Sequence, residues 1–182
     1  MSNRIAPTTE ANAPEGTRPM LVELKQALGM IPNVYAAAGH SPAALGSVLS
    51  WNASLGKNGL SKKEIETISL HVSELNGCSY CISAHTVLGG MVQLTPEQIS
   101  AARNGIGSTA RENALLSFAR RVVRTGGSRS GTDLMALREA KLSDAEVIDA
   151  LGVIALTQFR NAVALVADTE IDFPKAPRLP TN

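Results

Sequence analysis

The chain has 182 residues, with 17 Lys and Arg against 16 Asp and Glu and a net charge of +1. That length suits one domain, which buries about 70% of its unfolded surface and needs neither a metal nor a disulfide staple to fold. Near-neutral charge without a Lys/Arg cluster argues against nucleic acid or an anionic membrane as the main partner, while a charged content of only 18% hints that other subunits cover part of the surface.

Residues 1–19, MSNRIAPTTEANAPEGTRP, are polar and punctuated by proline, the composition of a flexible N-terminal arm rather than of a secretory leader. Helices are then predicted near 20–29, 42–56, 61–76, 78–90, 95–104, 109–125, 132–140 and 143–167. Three of them open with the same signal. Leu60-Ser61-Lys62-Lys63-Glu64, Leu94-Thr95-Pro96-Glu97-Gln98 and Leu142-Ser143-Asp144-Ala145-Glu146 each place a Ser or Thr cap three residues before Glu or Gln, the capping box. Pro96 suits the first helical turn, and Ser41-Pro42 marks a further start.

Ile65, Ile68, Val72 and Leu75 form one apolar stripe, and Leu115, Phe118, Val122 and Val123 form another. No segment alternates with period two between Asn-Gly or Asp-Gly turns, so the fold class is all-α. Gly126–Gly131 reads as a plain connector. Leu60–Ile65 recurs as Leu142–Val147, 82 positions later, which leaves two degenerate helical halves open as a reading. No uncharged run approaches the roughly 18–20 residues that span a bilayer; the best, Val147–Leu156, carries Asp149. The expectation is a soluble, cytoplasmic protein. In a reducing compartment two cysteines point to catalysis or metal binding rather than to a staple.

The chemistry is concentrated between Glu66 and His85. Asn76-Gly77 can end one helix and let the next begin at Cys78. On that helix Cys78, Cys81 and His85 follow an i, i+3, i+7 pattern and lie within roughly 60° of one another, on one face. The cysteine Cα atoms would be about 5–5.5 Å apart, inside the roughly 4.4–6.8 Å that a disulfide accepts, so the pair can open and close without unfolding the helix. A free thiol is only about 3% ionised at neutral pH; a helix N-terminus and a nearby imidazole raise that fraction. His85 can also exchange protons as a general acid–base.

Rival readings of this window are zinc, for which His85 and one of His71 or Glu66 would complete the ligand set, and a structural pair of buried thiols. Covalent haem attachment fails because Ile82, not His, follows the second cysteine. On periodicity alone Glu66 and Glu74 read as solvated helix residues and His71 as a structural histidine. His40 reads as making local contacts, Trp51 as core or interface, and Tyr80 as either packing or donating a hydrogen bond near the sulfurs.

The pattern Glu66-x11-Cys78-x2-Cys81-x3-His85, with Asn-Gly before the first cysteine, resembles the signature of the alkylhydroperoxidase AhpD-like / carboxymuconolactone decarboxylase superfamily. Glu74-Leu-Asn-Gly-Cys-Ser-Tyr-Cys-Ile-Ser-Ala-His-Thr, Ile31-Pro-Asn-Val, His40-Ser-Pro and Ala167-Asp-Thr-Glu-Ile-Asp-Phe-Pro174 resemble its peroxidase-related branch. The resemblance covers roughly residues 20–174, taken as the helical domain, with 175–182 as a C-terminal tail.

The resemblance implies an AhpD-like fold that oligomerises through helices, as trimers or hexamers. It also implies a thiol-dependent hydroperoxide peroxidase without metal or bound cofactor, with a small hydroperoxide as substrate and an external dithiol reductant, such as a lipoyl-bearing protein, as electron donor. Residue by residue it makes Cys81 the peroxidatic cysteine, Cys78 the resolving one, and His85 and Glu66 the proton relay, which favours Glu66 over Glu74. The chain departs from better-studied members at Tyr80, where those carry a second histidine. Position at a helix N-terminus would by itself favour Cys78 as the thiolate. Two other functions stay open: a disulfide-exchange adaptor or redox sensor, and a lactone decarboxylase, against which the cysteine pair argues.

Overall fold

The computed structural model describes residues 4–57, 59–128 and 130–179. Among the described residues there are nine helices and no strand: α1 (Arg18–Leu28), α2 (Asn33–Ala38), α3 (Pro42–Leu55), α4 (Lys62–Leu75), α5 (Ser79–Met91), α6 (Pro96–Arg103), α7 (Ala110–Thr125), α8 (Gly131–Glu139) and α9 (Asp144–Ala167). Of the connector at 126–131, Arg129 lies outside the described residues, as do Asn58 and both chain ends at 1–3 and 180–182.

Helix α4 is the axis of the fold and packs against α5, α6, α7 and α9. The stripe predicted on it is inward-facing: Ile68 and Val72 are fully enclosed and join Leu115, Phe118, Leu137, Val147, Val153 and Ile154 in the largest core cluster. At about 25 cal/mol per Å² of apolar surface, this cluster is the main driving force holding α4, α7, α8 and α9 together.

All three capping boxes form, with the cap hydroxyl accepting the third-residue N–H and the Glu or Gln accepting the cap N–H. Two of them are joined. Arg111 donates through Nε to Glu64 and through Nη2 to Glu146, each at 2.6 Å, so one guanidinium ties the start of α4 to the start of α9. Hydrogen bonds from Ser143, backbone first and then hydroxyl, together with Arg111, hold the Glu146 carboxyl down to about 2. The two similar starts seen 82 residues apart in sequence are thus neighbours in space.

Two features differ from the sequence reading. Helix α2 was not anticipated, because it is six residues long and opens at Pro32, which offers no side-chain cap. The orphan N–H of Asn33 is instead taken at 2.7 Å by the carboxylate of Asp172, 139 residues away. Helix α9 is, by length and composition, apolar enough to cross a membrane despite Asp149; here it is a core helix, with Ala150, Val153, Ile154 and Leu156 enclosed against α3, α4 and α7.

Both ends of the chain run over this bundle. Before α1, Thr8 donates to the Ala36 carbonyl at 2.6 Å and Thr17 to that of Gly39 at 2.7 Å, and Ala13 is buried against Leu21 and Leu24. After α9, residues 168–179 form an irregular strap. Glu170 accepts from the Asn33 side chain, the Ala176 N–H donates to Ser83, and the Pro177 carbonyl accepts from Arg103.

Candidate functional site

The turn between α4 and α5 sets the geometry. Gly77 takes a positive φ of 65°, which a side chain would resist. Its N–H reaches the Glu74 carbonyl and that of Cys78 reaches Ser73, the Schellman closure of α4. Asn161 of α9 secures this end: it accepts from Asn76 at 2.8 Å and donates to Ser73 at 3.1 Å. Cys78 is therefore the N-cap of α5 rather than its first helical residue, and its sulfur accepts the Cys81 N–H at 3.3 Å, as Ser or Asp would at such a position.

Cys78 and Cys81 are joined as a disulfide with Cα atoms 5.3 Å apart. Both are enclosed, at 1% and 3% exposure, among Val34, Tyr80 and Ala164, with Tyr35, Val163, Ile171 and Phe173 packed outside. One turn further along α5, His85 is 5% exposed, and its Nδ1 lies 2.8 Å from Oε2 of Glu66 on α4. A carboxylate on one ring nitrogen fixes the ring's orientation, leaving the other nitrogen to exchange a proton. The four residues singled out from sequence thus lie on two packed helices, the cysteines and His85 along α5 and Glu66 opposite on α4.

The other candidates are placed apart from this group. Glu74 accepts from Nε of Arg103 at 2.8 Å, and Arg103 Nη1 donates to Pro177 at 2.7 Å, so this pair anchors the strap. His71 is 2% exposed; its Nδ1 lies 3.3 Å from the Arg103 carbonyl and its Nε2 has no partner. Burial, with Arg120 and Arg124 nearby, pushes its pKa below the ordinary histidine value. His40 bonds the Ala6 carbonyl through Nε2 at 2.8 Å, and Trp51 is partly exposed on α3.

Tyr80 packs edge-on against Phe173, with ring centroids 5.8 Å apart, and its hydroxyl accepts the Val34 N–H at 3.3 Å. Burial, reinforced by Asp172, drives the phenol far above its usual pKa, so it stays protonated. It is a structural post for α2 and the strap, built from partners that spacing around the cysteines could not disclose. Arg103 and Asp172 were missed as well, since both act across more than 70 residues of chain. Among the described residues, no group of three or more His, Cys, Asp or Glu gathers as a metal ligand set.

Comparison with known proteins adds to this geometry. Residues 42–125, which carry Glu66, both cysteines and His85, match the carboxymuconolactone decarboxylase family. No curated protein matches the chain. Among solved structures, an AhpD-core, uncharacterized peroxidase-related protein from Ralstonia eutropha is 24% identical, with a TM-score of 0.83 over 94% of this chain and 93% of that one. An uncharacterized peroxidase-related protein from Silicibacter sp. is also 24% identical, with a TM-score of 0.80 over 93% of each chain. The debrominase Bmp8, a variant of which was solved in complex with 2,3,4-tribromopyrrole, is 20% identical, with a TM-score of 0.75 over 94% of this chain and 93% of that one. The helices that hold the cysteine pair are thus the ones that the carboxymuconolactone decarboxylase family model covers, and the chain as a whole shares the fold of the AhpD-core structures.

Proposed function

We propose that the protein is a thiol-dependent peroxidase that reduces a small organic hydroperoxide with the Cys78/Cys81 pair. The observation that carries this reading is the pairing itself: two sulfurs close enough to bond across a capped turn, with the His85–Glu66 couple one turn away. In the reduced protein the Cys81 thiolate attacks one peroxide oxygen and the O–O bond breaks. Cys81 becomes a sulfenic acid, and the alkoxide leaves as an alcohol with a proton supplied through His85 and Glu66. The Cys78 thiolate, stabilised by the N–H it accepts at the helix start, attacks the sulfenic sulfur; water departs and the disulfide forms. An external dithiol then takes the oxidising equivalents by thiol–disulfide exchange. No bound cofactor is required by this cycle. A cytoplasmic, reducing setting, a lipoyl-type donor and a trimeric or hexameric assembly belong to the same proposal.

The enclosure of both sulfurs beneath the strap favours a small oxidant over a protein disulfide as the first reactant, and so ranks peroxide reduction above a disulfide-exchange adaptor. The test is consumption of cumene hydroperoxide with dihydrolipoamide as reductant. Turnover that disappears in Cys78→Ser and in Cys81→Ser supports the cycle, and turnover that survives in both refutes it. A second reading rests on the likeness to a debrominase: the same pair would reductively remove bromide from a halogenated ring. Cysteine-dependent bromide release from 2,3,4-tribromopyrrole, without hydroperoxide turnover, would select it.

A further inference from the structure

Glu66, which holds His85, also lines a cavity of about 170 Å³ that neither cysteine lines. It forms where one face of α4 meets one face of α9 under the end of α3. Lys62, Glu66 and Ser69 follow the i, i+4, i+7 rule on α4, and Val153, Leu156, Thr157 and Arg160 share a face of α9. An engineered cavity of about 150 Å³ suffices for benzene, so this one has room for a single ring or a short chain.

Its lining is divided by chemistry. Leu55, Ile65, Val92, Val153 and Leu156 make an apolar wall. The Ser69 and Thr157 hydroxyls share one hydrogen bond at 3.2 Å. The cations are not satisfied. Arg160 Nη2 donates to Asn52 at 2.6 Å, but its Nε is sealed from solvent with no acceptor. Among the described residues neither Arg160 nor Lys62 has a carboxylate partner in an ion pair. A buried guanidinium N–H without an acceptor is rare and calls for one from outside the chain. A partly apolar hollow with a few converging polar groups is the form of a small-molecule site.

We infer that this cavity binds a small organic anion, with its oxyanion on Arg160 and Lys62 and its apolar body on the Leu55–Leu156 wall. Neither cysteine lines the cavity, so the ligand contacts Glu66, the residue that holds His85, and not the sulfurs. Binding therefore needs no thiol.

The probe is benzoate, titrated by calorimetry into the full-length protein, with inorganic phosphate as the comparison. Saturable binding of benzoate is expected, about tenfold tighter than phosphate, and weakened about tenfold or more by Arg160→Met, in line with the strength of one charge-assisted hydrogen bond. Lys62→Met, at an exposed position that the fold tolerates, should weaken it as well. Glu66→Gln should tighten it by removing a like charge from the cavity wall. The Cys78→Ser/Cys81→Ser double variant should bind as the wild type does, whatever its turnover. Absence of saturation, equal affinity for phosphate, or indifference to both the Arg160 and Lys62 changes would each overturn the inference.

Discussion

Two buried histidines, fourteen positions apart in the chain, show how much a single partner decides. His85 faces a carboxylate at 2.8 Å, one turn from a cysteine pair. His71 is as deeply enclosed, but it faces a carbonyl on one side, has nothing on the other, and lies near two arginines. The first can hold and return a proton beside the cysteine pair. The second is kept neutral by burial and positive neighbours. The carboxylates divide in the same way: Glu66 holds His85, whereas Glu74 is spent on Arg103 and the C-terminal strap.

The comparison breaks most sharply at the sulfurs. Either Cys→Ser change should abolish hydroperoxide turnover, and Cys78→Ser should in addition accumulate a sulfenic acid on Cys81 that a dimedone label reveals by mass. Label on Cys78 in Cys81→Ser would reverse the order of the two. Next in size, Glu66→Gln or His85→Gln should lower kcat/KM by about 10²–10⁴-fold, the usual worth of general acid–base catalysis, whereas Glu74→Gln and His71→Gln should leave it within a few-fold.

Stability should answer in the opposite sense. Arg103→Met strips the partners from Glu74 and from the Pro177 carbonyl, and is expected to cost about 1.5–3 kcal/mol in urea unfolding. His71 supplies a pH signature. Its folded pKa lies below the unfolded value of 6.5, so the unfolded chain takes up a proton the folded chain refuses. Stability linked to His71 is therefore complete above pH 6.5 and falls as the pH drops below it, and His71→Gln should flatten that part of the stability profile. The smallest effect is a cap: Ser143→Ala, which opens one capping box, should cost about 1 kcal/mol.

Much of this was legible in the sequence because it is local. A capping box spans four residues, and the Cys78–His85 spacing is fixed by helical periodicity, so both could be read without knowing the neighbours. What was illegible depends on contacts across the chain. Periodicity could not choose between Glu66 and Glu74, since both lie on α4; the choice became physical only when α5 brought His85 to one and α6 brought Arg103 to the other. Helix α2 went unseen for the same reason: its cap is Asp172, far along the strap. Tyr80 could not be assigned between packing and hydrogen bonding because Val34 and Phe173, which hold it, are remote from the cysteines in sequence.

The most direct test of the central claim is free-thiol titration and intact mass of the fully reduced protein before and after one equivalent of cumene hydroperoxide. The account predicts rapid loss of both thiols together with two hydrogens, blocked by either Cys→Ser change and slowed by Glu66→Gln. Persistence of both thiols while the hydroperoxide remains unconsumed would contradict it.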